Sequence, residues 1–163
     1  MILSERERTR QIGVHGEVVA PEWIVKLGLG NGLQRFGRNH RYWDCWGKTQ
    51  AGHNGLWQIK TRVNTFCTGE PKTDGYSLFY SRDGQDPLER VRGALRFADS
   101  LNAVPHWVAV TLDVVRQLVS IHMGLIHDLR DPRIIDFKSR TDTLNCIVKD
   151  MFDPRIKPEW SNT

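Results

Sequence analysis

The stretch Leu56-Trp57-Gln58-Ile59-Lys60-Thr61-Arg62-Val63 is the most strand-like segment in the first half of the chain. Its aromatic and β-branched residues favour extended structure. Side chains alternate between the two faces of a strand, so Gln58 and Lys60 share one face while the residues between them take the other. The segment therefore predicts a strand that is polar on one side and apolar on the other.

A second aromatic-rich segment, Tyr42-Trp43-Asp44-Cys45-Trp46, predicts another strand upstream of the first. Gly52 and the Asn54-Gly55 pair predict a turn between the two strands, over residues 48–55. As neighbours in a hairpin, the two strands would place Asp44 beside Gln58 and Lys60. We therefore expect a carboxylate, an amide and an ammonium group on one surface.

The remaining pattern predicts a mixed α/β (α+β) domain in which helices flank a central mixed sheet. Ser4 and Glu7 fit a capping box, so a helix should begin there and run toward Val19. Pro21 either breaks this helix or begins a second helical segment. Asp86-Pro87 predicts the start of another helix, with an acidic N-cap and a proline at the first helical position. The other predicted elements are strands over residues 33–38, 41–47, 76–80, 106–112 and 117–123, and a last helix over residues 141–151.

Length, hydropathy and charge narrow the class of protein. The 163 residues fit one domain, which we place over residues 1–152, followed by an irregular tail over residues 153–163. No apolar run approaches membrane-spanning length, and the N-terminus lacks the apolar core of a signal peptide. We therefore expect a cytoplasmic protein that does not bind membranes. The net charge of +4 and the pI of about 9.1 permit nucleic-acid binding without demonstrating it.

The cysteines Cys45, Cys67 and Cys146 are widely spaced and odd in number. This pattern favours reduced thiols over a disulfide framework. A zinc site can be drawn from Cys45, His53 and Cys67, but the spacing matches no standard pattern. We interpret the cysteines as small buried side chains.

The surface shared by Asp44, Gln58 and Lys60 has the chemistry of a metal-dependent phosphoryl-transfer site. Asp44 offers a carboxylate oxygen, Gln58 an amide oxygen and Ile59 a backbone carbonyl, and Mg²⁺ prefers such oxygen ligands. Lys60 could orient or deprotonate a water molecule, or stabilise charge on the phosphorane. The pattern thus predicts hydrolysis of a phosphodiester bond.

These residues resemble the PD-(D/E)xK nuclease superfamily, which includes restriction endonucleases, Holliday-junction resolvases and repair nucleases. The resemblance covers residues 4–112 and implies a restriction-endonuclease-like αβββαβ core. It places the family's first acidic ligand on Asp44 and its half-motif on Gln58-Ile59-Lys60. A glutamate of the first helix commonly assists in this family, and Glu17 is the matching residue here.

Two departures from the family pattern concern the metal site. Trp43 stands where a proline usually precedes the acid, and many members lack that proline. Gln58 replaces the usual aspartate or glutamate, as in some resolvase-like and methylated-DNA-cutting members. Because the replacement removes one negative charge, we expect metal affinity to depend more on Glu17.

Basic and aromatic residues are interleaved around the predicted site, as on many nucleic-acid-binding surfaces. We predict nucleic-acid contacts for Arg35, Arg38, Arg41 and Arg62, and the neighbouring aromatic residues are Tyr42, Trp43, Trp46 and Trp57. Arg62 shares the face of Lys60 and is either a phosphate ligand or an ordinary surface arginine. The aromatic residues could instead fill the core. We prefer the core for Trp57 and leave both readings open for Trp46.

The sequence therefore predicts a DNA endonuclease that depends on Mg²⁺ (or Mn²⁺) and acts on duplex or branched DNA. The predicted catalytic residues are Glu17, Asp44, Gln58 and Lys60, and the predicted metal ligands are Asp44, Gln58, Glu17 and the carbonyl of Ile59. A homodimer would suit this activity, because one active site cuts one strand. One alternative is a non-catalytic DNA-binding module on the same fold, with a decayed site at Gln58. Another is an interaction or structural protein whose basic charge is incidental.

Overall fold

Helix α1 spans Glu5–Lys26 in this computed structural model, which describes residues 4–37, 40–65, 68–73, 75–79, 84–113, 118–136 and 147–151. The predicted capping box is confirmed: the Ser4 hydroxyl accepts a hydrogen bond from the Glu7 backbone, and the Glu7 carboxylate accepts one from the Ser4 backbone. Pro21 lies inside α1, so the two helical segments left open by the sequence form one helix. Proline lacks an N–H, so the Glu17 carbonyl loses the hydrogen bond it would otherwise accept.

A mixed sheet forms the centre of the fold. Its strands are β1 (Gly30–Arg35), β2 (Cys45–Thr49), β3 (Asn54–Val63), β5 (Ala103–Asp113), β6 (Leu118–Leu125) and β8 (Ile147–Met151). In the described residues these six strands lie in the order β1-β2-β3-β5-β6-β8. Strands β3 and β5 are parallel and are connected through helix α2 (Pro87–Ser100), whereas the other neighbouring strands pair antiparallel. This arrangement confirms the predicted mixed α/β class.

The two helices cover opposite faces of the sheet. Trp57 and Ile59 of β3 belong to a buried cluster that includes Trp23 and Ile24 of α1. Leu56 of β3 belongs to a second cluster, formed around α2. Trp57 is therefore a core residue, as predicted. Strand β3 is buried from both sides over most of its length, which fixes which of its side chains face each helix.

Several predicted boundaries differ from the structure. The strand predicted over residues 41–47 begins only at Cys45, so Asp44 precedes β2 rather than lying within it. The strand predicted over residues 76–80 is reduced to β4 (Tyr76–Ser77), which pairs with β7 (Ile134–Ile135) in a separate small sheet.

The last predicted helix is wrong where the structure describes it. Residues Ile147–Met151 form β8, which pairs antiparallel with β6. The β-branched Ile147 and Val148 favour this edge strand, although their spacing also fits a helix. Residues 141–146 and the tail predicted over residues 153–163 lie outside the described residues. Within the described part of the chain, no helix is long and apolar enough to cross a membrane.

Candidate active site

The candidate site lies where β2 separates from β3. The pairing of the two strands ends at Cys45 and Trp57, so the following residues of β3 have no partner in β2. Asp44 stands at this opening. Its backbone N–H donates to the Trp57 carbonyl at 3.0 Å, and its carbonyl accepts from the Phe36 N–H at 2.9 Å. Both hydrogen bonds fix the position of Asp44 relative to β1 and β3.

The carboxylate of Asp44 is held by the backbone of β3. Its Oδ2 atom accepts a hydrogen bond of 2.6 Å from the Ile59 N–H, a short charge-assisted bond. The N–H and C=O of one strand residue point toward the same neighbouring strand. The Ile59 carbonyl therefore points to the side on which Asp44 lies. The structure thus brings two of the predicted metal ligands to one edge of β3.

Glu17 of α1 approaches the same edge from the helix layer. Its Oε2 atom lies 3.7 Å from Nη2 of Arg35 on β1. Burial raises the pKa of Glu17, while the positive charges of Arg35 and Lys60 oppose that rise. Burial likewise raises the pKa of Asp44 to about 7, and the negative charge of Glu17 adds to the effect. The two carboxylates are therefore close enough to repel each other.

Lys60 completes this charged group. Burial lowers the pKa of Lys60, the carboxylates of Asp44 and Glu17 oppose that shift, and the charge of Arg90 adds to it. A lysine with a lowered pKa is a better proton acceptor than an exposed one. Glu17, Asp44 and Lys60, which the sequence predicted as site residues, are thus within electrostatic range of one another.

Gln58 is buried and turns toward the α2 side of the sheet. Its Nε2 atom donates a hydrogen bond of 3.1 Å to the carbonyl of Leu78, which is itself fully buried. This hydrogen bond fixes the orientation of the Gln58 amide. The amide oxygen is the atom that could coordinate a metal ion. Gln58 therefore has a structural contact that sequence reasoning did not foresee.

The donor atoms at this edge fit Mg²⁺ by their chemistry. They are oxygens of Asp44, Glu17 and the Ile59 carbonyl, the type that Mg²⁺ and Mn²⁺ prefer, whereas the Gln58 amide lies on the α2 side of the sheet. Burial chiefly raises the pKa of Asp44 and repulsion by Glu17 adds to it, and a bound cation would oppose both effects. The site has only two acids, and the described residues contain no group of three or more His, Cys, Asp or Glu side chains arranged to hold a metal. In the zinc alternative, Cys45 is a buried free thiol, His53 is exposed, and Cys67 lies outside the described residues.

The predicted nucleic-acid-binding arginines have different surroundings. Arg35 is exposed and pairs with Glu17. The Arg41 guanidinium lies 5.4 Å from the ring centre of Tyr42, beside the segment that carries Asp44. Arg62 follows Lys60 on the same side of β3 and contacts Gly75 and Tyr76. Arg38 lies outside the described residues.

Sequence reasoning missed Arg90 of α2 as a member of the site. Its Nη2 atom donates to the Arg41 carbonyl at 2.5 Å, and its guanidinium lies 5.7 Å from the ring centre of Tyr42. Its buried Nε has no hydrogen-bond partner among the residues that the structure describes. Arg90 lies next to the buried Val91 in the amphipathic helix α2, but this sequence position alone does not distinguish a site residue from a surface residue.

The aromatic residues divide between core and surface. Trp43 is buried, and its Nε1 atom donates to the Ala94 carbonyl at 3.3 Å. Trp46, which the sequence left open, is 43% exposed. Trp46 is therefore the tryptophan near the site that remains accessible to a base.

Comparison of the chain with protein-family models, with curated proteins and with solved structures finds no match. The site must therefore be interpreted from its own geometry and chemistry.

Proposed function

We propose that this protein is a Mg²⁺- (or Mn²⁺-) dependent DNA endonuclease. The observation that carries the proposal is the Asp44 carboxylate, held at 2.6 Å by the Ile59 N–H at the edge of β3 and within electrostatic range of Glu17 and Lys60. Two carboxylates and a lysine with perturbed pKa values, gathered at the end of a strand pairing, are typical of a catalytic site. They come from α1, from the residue before β2 and from β3, which makes a chance cluster of surface charges a weaker explanation.

The metal would be held by Asp44 and the Ile59 carbonyl, with Glu17 and the Gln58 amide oxygen as further ligands. When bound, it would supply Lewis-acid stabilisation of the phosphoryl oxygens and a more acidic water. Asp44 is oriented for this role because the Ile59 N–H holds one of its two oxygens. The other oxygen is left for the ligand.

Lys60 would position the hydrolytic water and stabilise the phosphorane. Its side chain lies on the same face as Gln58 and interacts with both carboxylates. Hydrolysis then proceeds by in-line attack of water on the phosphorus, with departure of a sugar oxygen. Arg35 and Arg90 would add positive charge near the phosphate as negative charge builds up on it.

The test is a cleavage assay on supercoiled plasmid, branched DNA and single-stranded DNA with Mg²⁺ or Mn²⁺. We expect nicking or linearisation by the unmodified protein, none in excess EDTA, and a loss of at least about 100-fold in Asp44→Asn and Lys60→Ala. Lys48→Ala is the matched control, because Lys48 is exposed at the opposite end of the β2–β3 hairpin. Full cutting by the Asp44 and Lys60 variants would contradict the proposal.

A second candidate is a non-catalytic DNA-binding module on the same fold. The hydrogen bond from Gln58 to Leu78 favours it, because a buried glutamine tied to the core resembles a structural residue. Titration calorimetry distinguishes the two candidates. Salt-dependent DNA binding without Mg²⁺ or Mn²⁺ binding would support the module.

A further inference from the structure

An open cleft of about 250 Å³ lies directly beyond Lys60 along β3. Three of the side chains that line it are cationic: Lys60, Arg62 and Lys72. Tyr76 and Ser77 of β4 form another part of its wall. Lys60 lines the cleft and directly follows Ile59, whose N–H holds the Asp44 carboxylate, so the cleft adjoins the candidate active site.

Arg62 is held in place by its surroundings. Its Nη1 atom donates to the Gly75 carbonyl at 3.3 Å, and its guanidinium lies 4.2 Å from the ring centre of Tyr76. Tyr76 is buried, and its hydroxyl contacts Thr111 and the Val110 carbonyl of β5. Stacking on a ring anchored in the core limits the freedom of the guanidinium, so binding an anion costs it less entropy.

Lys72 lies on a loop that is tied to the end of β3. The Lys72 N–H donates to the Asn64 carbonyl at 2.8 Å, and Thr65 forms an isolated bridge with Pro71. The backbone that carries Lys72 is therefore fixed relative to Arg62. Two cations from different segments are thus presented to one cleft by anchored backbone.

We infer that this cleft is a phosphate-binding subsite for the DNA strand being cut. It would hold a backbone phosphate next to the scissile one, with Arg62 and Lys72 as the binding groups. The inference rests on the proposed function, because the strand runs from the metal site past Lys60 into the cleft. A guanidinium and an ammonium suit this ligand, since phosphate accepts both bidentate and point-charge contacts.

The experiment measures DNA binding apart from cleavage. A fluorescein-labelled 20-base-pair duplex is titrated with protein in EDTA at several salt concentrations, and fluorescence polarisation gives the affinity. We expect Lys72→Ala to reduce the slope of log affinity against log salt by about 0.9, as for one lost phosphate contact. Affinity at 0.1 M salt should fall roughly 5- to 10-fold. Arg62→Ala should act likewise, and Arg62→Lys should keep the slope but lose part of the affinity.

Lys48→Ala is again the control and should leave the slope unchanged; circular dichroism checks that each variant is folded. A salt slope unaltered in both Lys72→Ala and Arg62→Ala, in a protein that cuts DNA, would overturn the subsite alone. A reduced slope in a protein that cuts no DNA would support the subsite as a phosphate site and contradict the nuclease. An equal reduction of the salt slope in Lys48→Ala would also overturn the subsite, because the loss of any positive charge would then have the same effect.

Discussion

The Ile59 N–H donates a 2.6 Å hydrogen bond to the Asp44 carboxylate, from the middle of β3 to the residue just before β2. The bond is possible because β2 ends its pairing with β3 two residues earlier on that side. The Ile59 N–H thus donates to the Asp44 side chain instead of to a backbone carbonyl of a neighbouring strand. The same gap in the pairing leaves the Ile59 carbonyl without a partner in β2 on the side where Asp44 lies, so the start of β2 defines the candidate metal site.

The first prediction concerns pH and stability in the metal-free protein. The pKa of Asp44 is raised from 3.8 to about 7, mainly by burial, so its ionisation costs stability. Unfolded Asp44 releases its proton near 3.8, and therefore this cost is absent well below pH 4, grows between pH 4 and 7 and is complete above pH 7. It amounts to at most about 4 kcal/mol. Urea denaturation in EDTA should show lower stability at pH 8 than at pH 5.

Asp44→Asn is the control for this pH effect. It keeps the side-chain shape and removes the charge, so its stability should depend less on pH between 5 and 8. Glu17 acts in the same direction, because its pKa is also raised, and some dependence should therefore remain. Equal pH dependence in the two proteins would show that Asp44 is not the buried acid described here.

The second prediction concerns the charge at Gln58. Gln58→Glu introduces a carboxylate next to Ile59 in the strand, so Mg²⁺ should bind more tightly and raise the melting temperature more than in the unmodified protein. Without metal the variant should be less stable, because the Leu78 carbonyl loses its donor. Gln34→Glu, on the exposed part of β1, is the matched control. A Mg²⁺-induced rise no larger than that of the control would remove Gln58 from the metal site.

The third prediction concerns the packing of α1 on β3. A Cβ atom on Gly16 would overlap the Thr61 side chain, whereas one on Gly13 meets nothing within 4 Å. Gly16→Ala should therefore cost roughly 1–3 kcal/mol and displace Glu17, its neighbour in α1. Gly13→Ala should be neutral or stabilising by up to about 1 kcal/mol. Chemical denaturation and the cleavage assay measure both effects, and equal behaviour of the two variants would contradict the close approach.

The fourth prediction concerns Arg90. Burial is the main cause of the lowered pKa of Lys60 and the charge of Arg90 adds to it, so Arg90→Met should raise that pKa part of the way toward its ordinary value. The ¹³C shift of the Lys60 Cε measures this directly by NMR titration. Arg92→Met is the control, because Arg92 is exposed on the same helix and pairs with Glu89. A Lys60 pKa that moves equally in both variants, or in neither, would exclude a local effect of Arg90.

Local patterns allowed the framework of the fold to be predicted from sequence. The Ser4 capping box and the Asp86-Pro87 start placed both helices, since each depends on contacts within one turn. Strand β3 was evident from its composition, but the Asn54-Gly55 pair that was expected in the turn lies within the strand, and the turn falls at Gly52. Strand β8 was not evident, because the apolar spacing of residues 147–151 fits both a helix and a strand. Pairing with β6 decides between the two.

The candidate site could be predicted only as a set of residues. Alternation places Gln58 and Lys60 on one face, but where β2 begins, and hence what the Asp44 carboxylate contacts, depends on the sheet as a whole. The bond from Gln58 to Leu78 and the approach of Arg90 join segments 20 or more residues apart. Such contacts follow from tertiary packing and leave no local pattern in the sequence.

The most direct test of the metal site is anomalous diffraction from crystals of the protein soaked in Mn²⁺. We predict an anomalous peak within about 2.5 Å of an Asp44 carboxylate oxygen and of the Ile59 carbonyl, and its loss in Asp44→Asn crystals. A peak elsewhere, or none at this edge while Mn²⁺ supports cleavage, would contradict the assignment of Asp44 and Ile59 as the metal-binding centre of this protein.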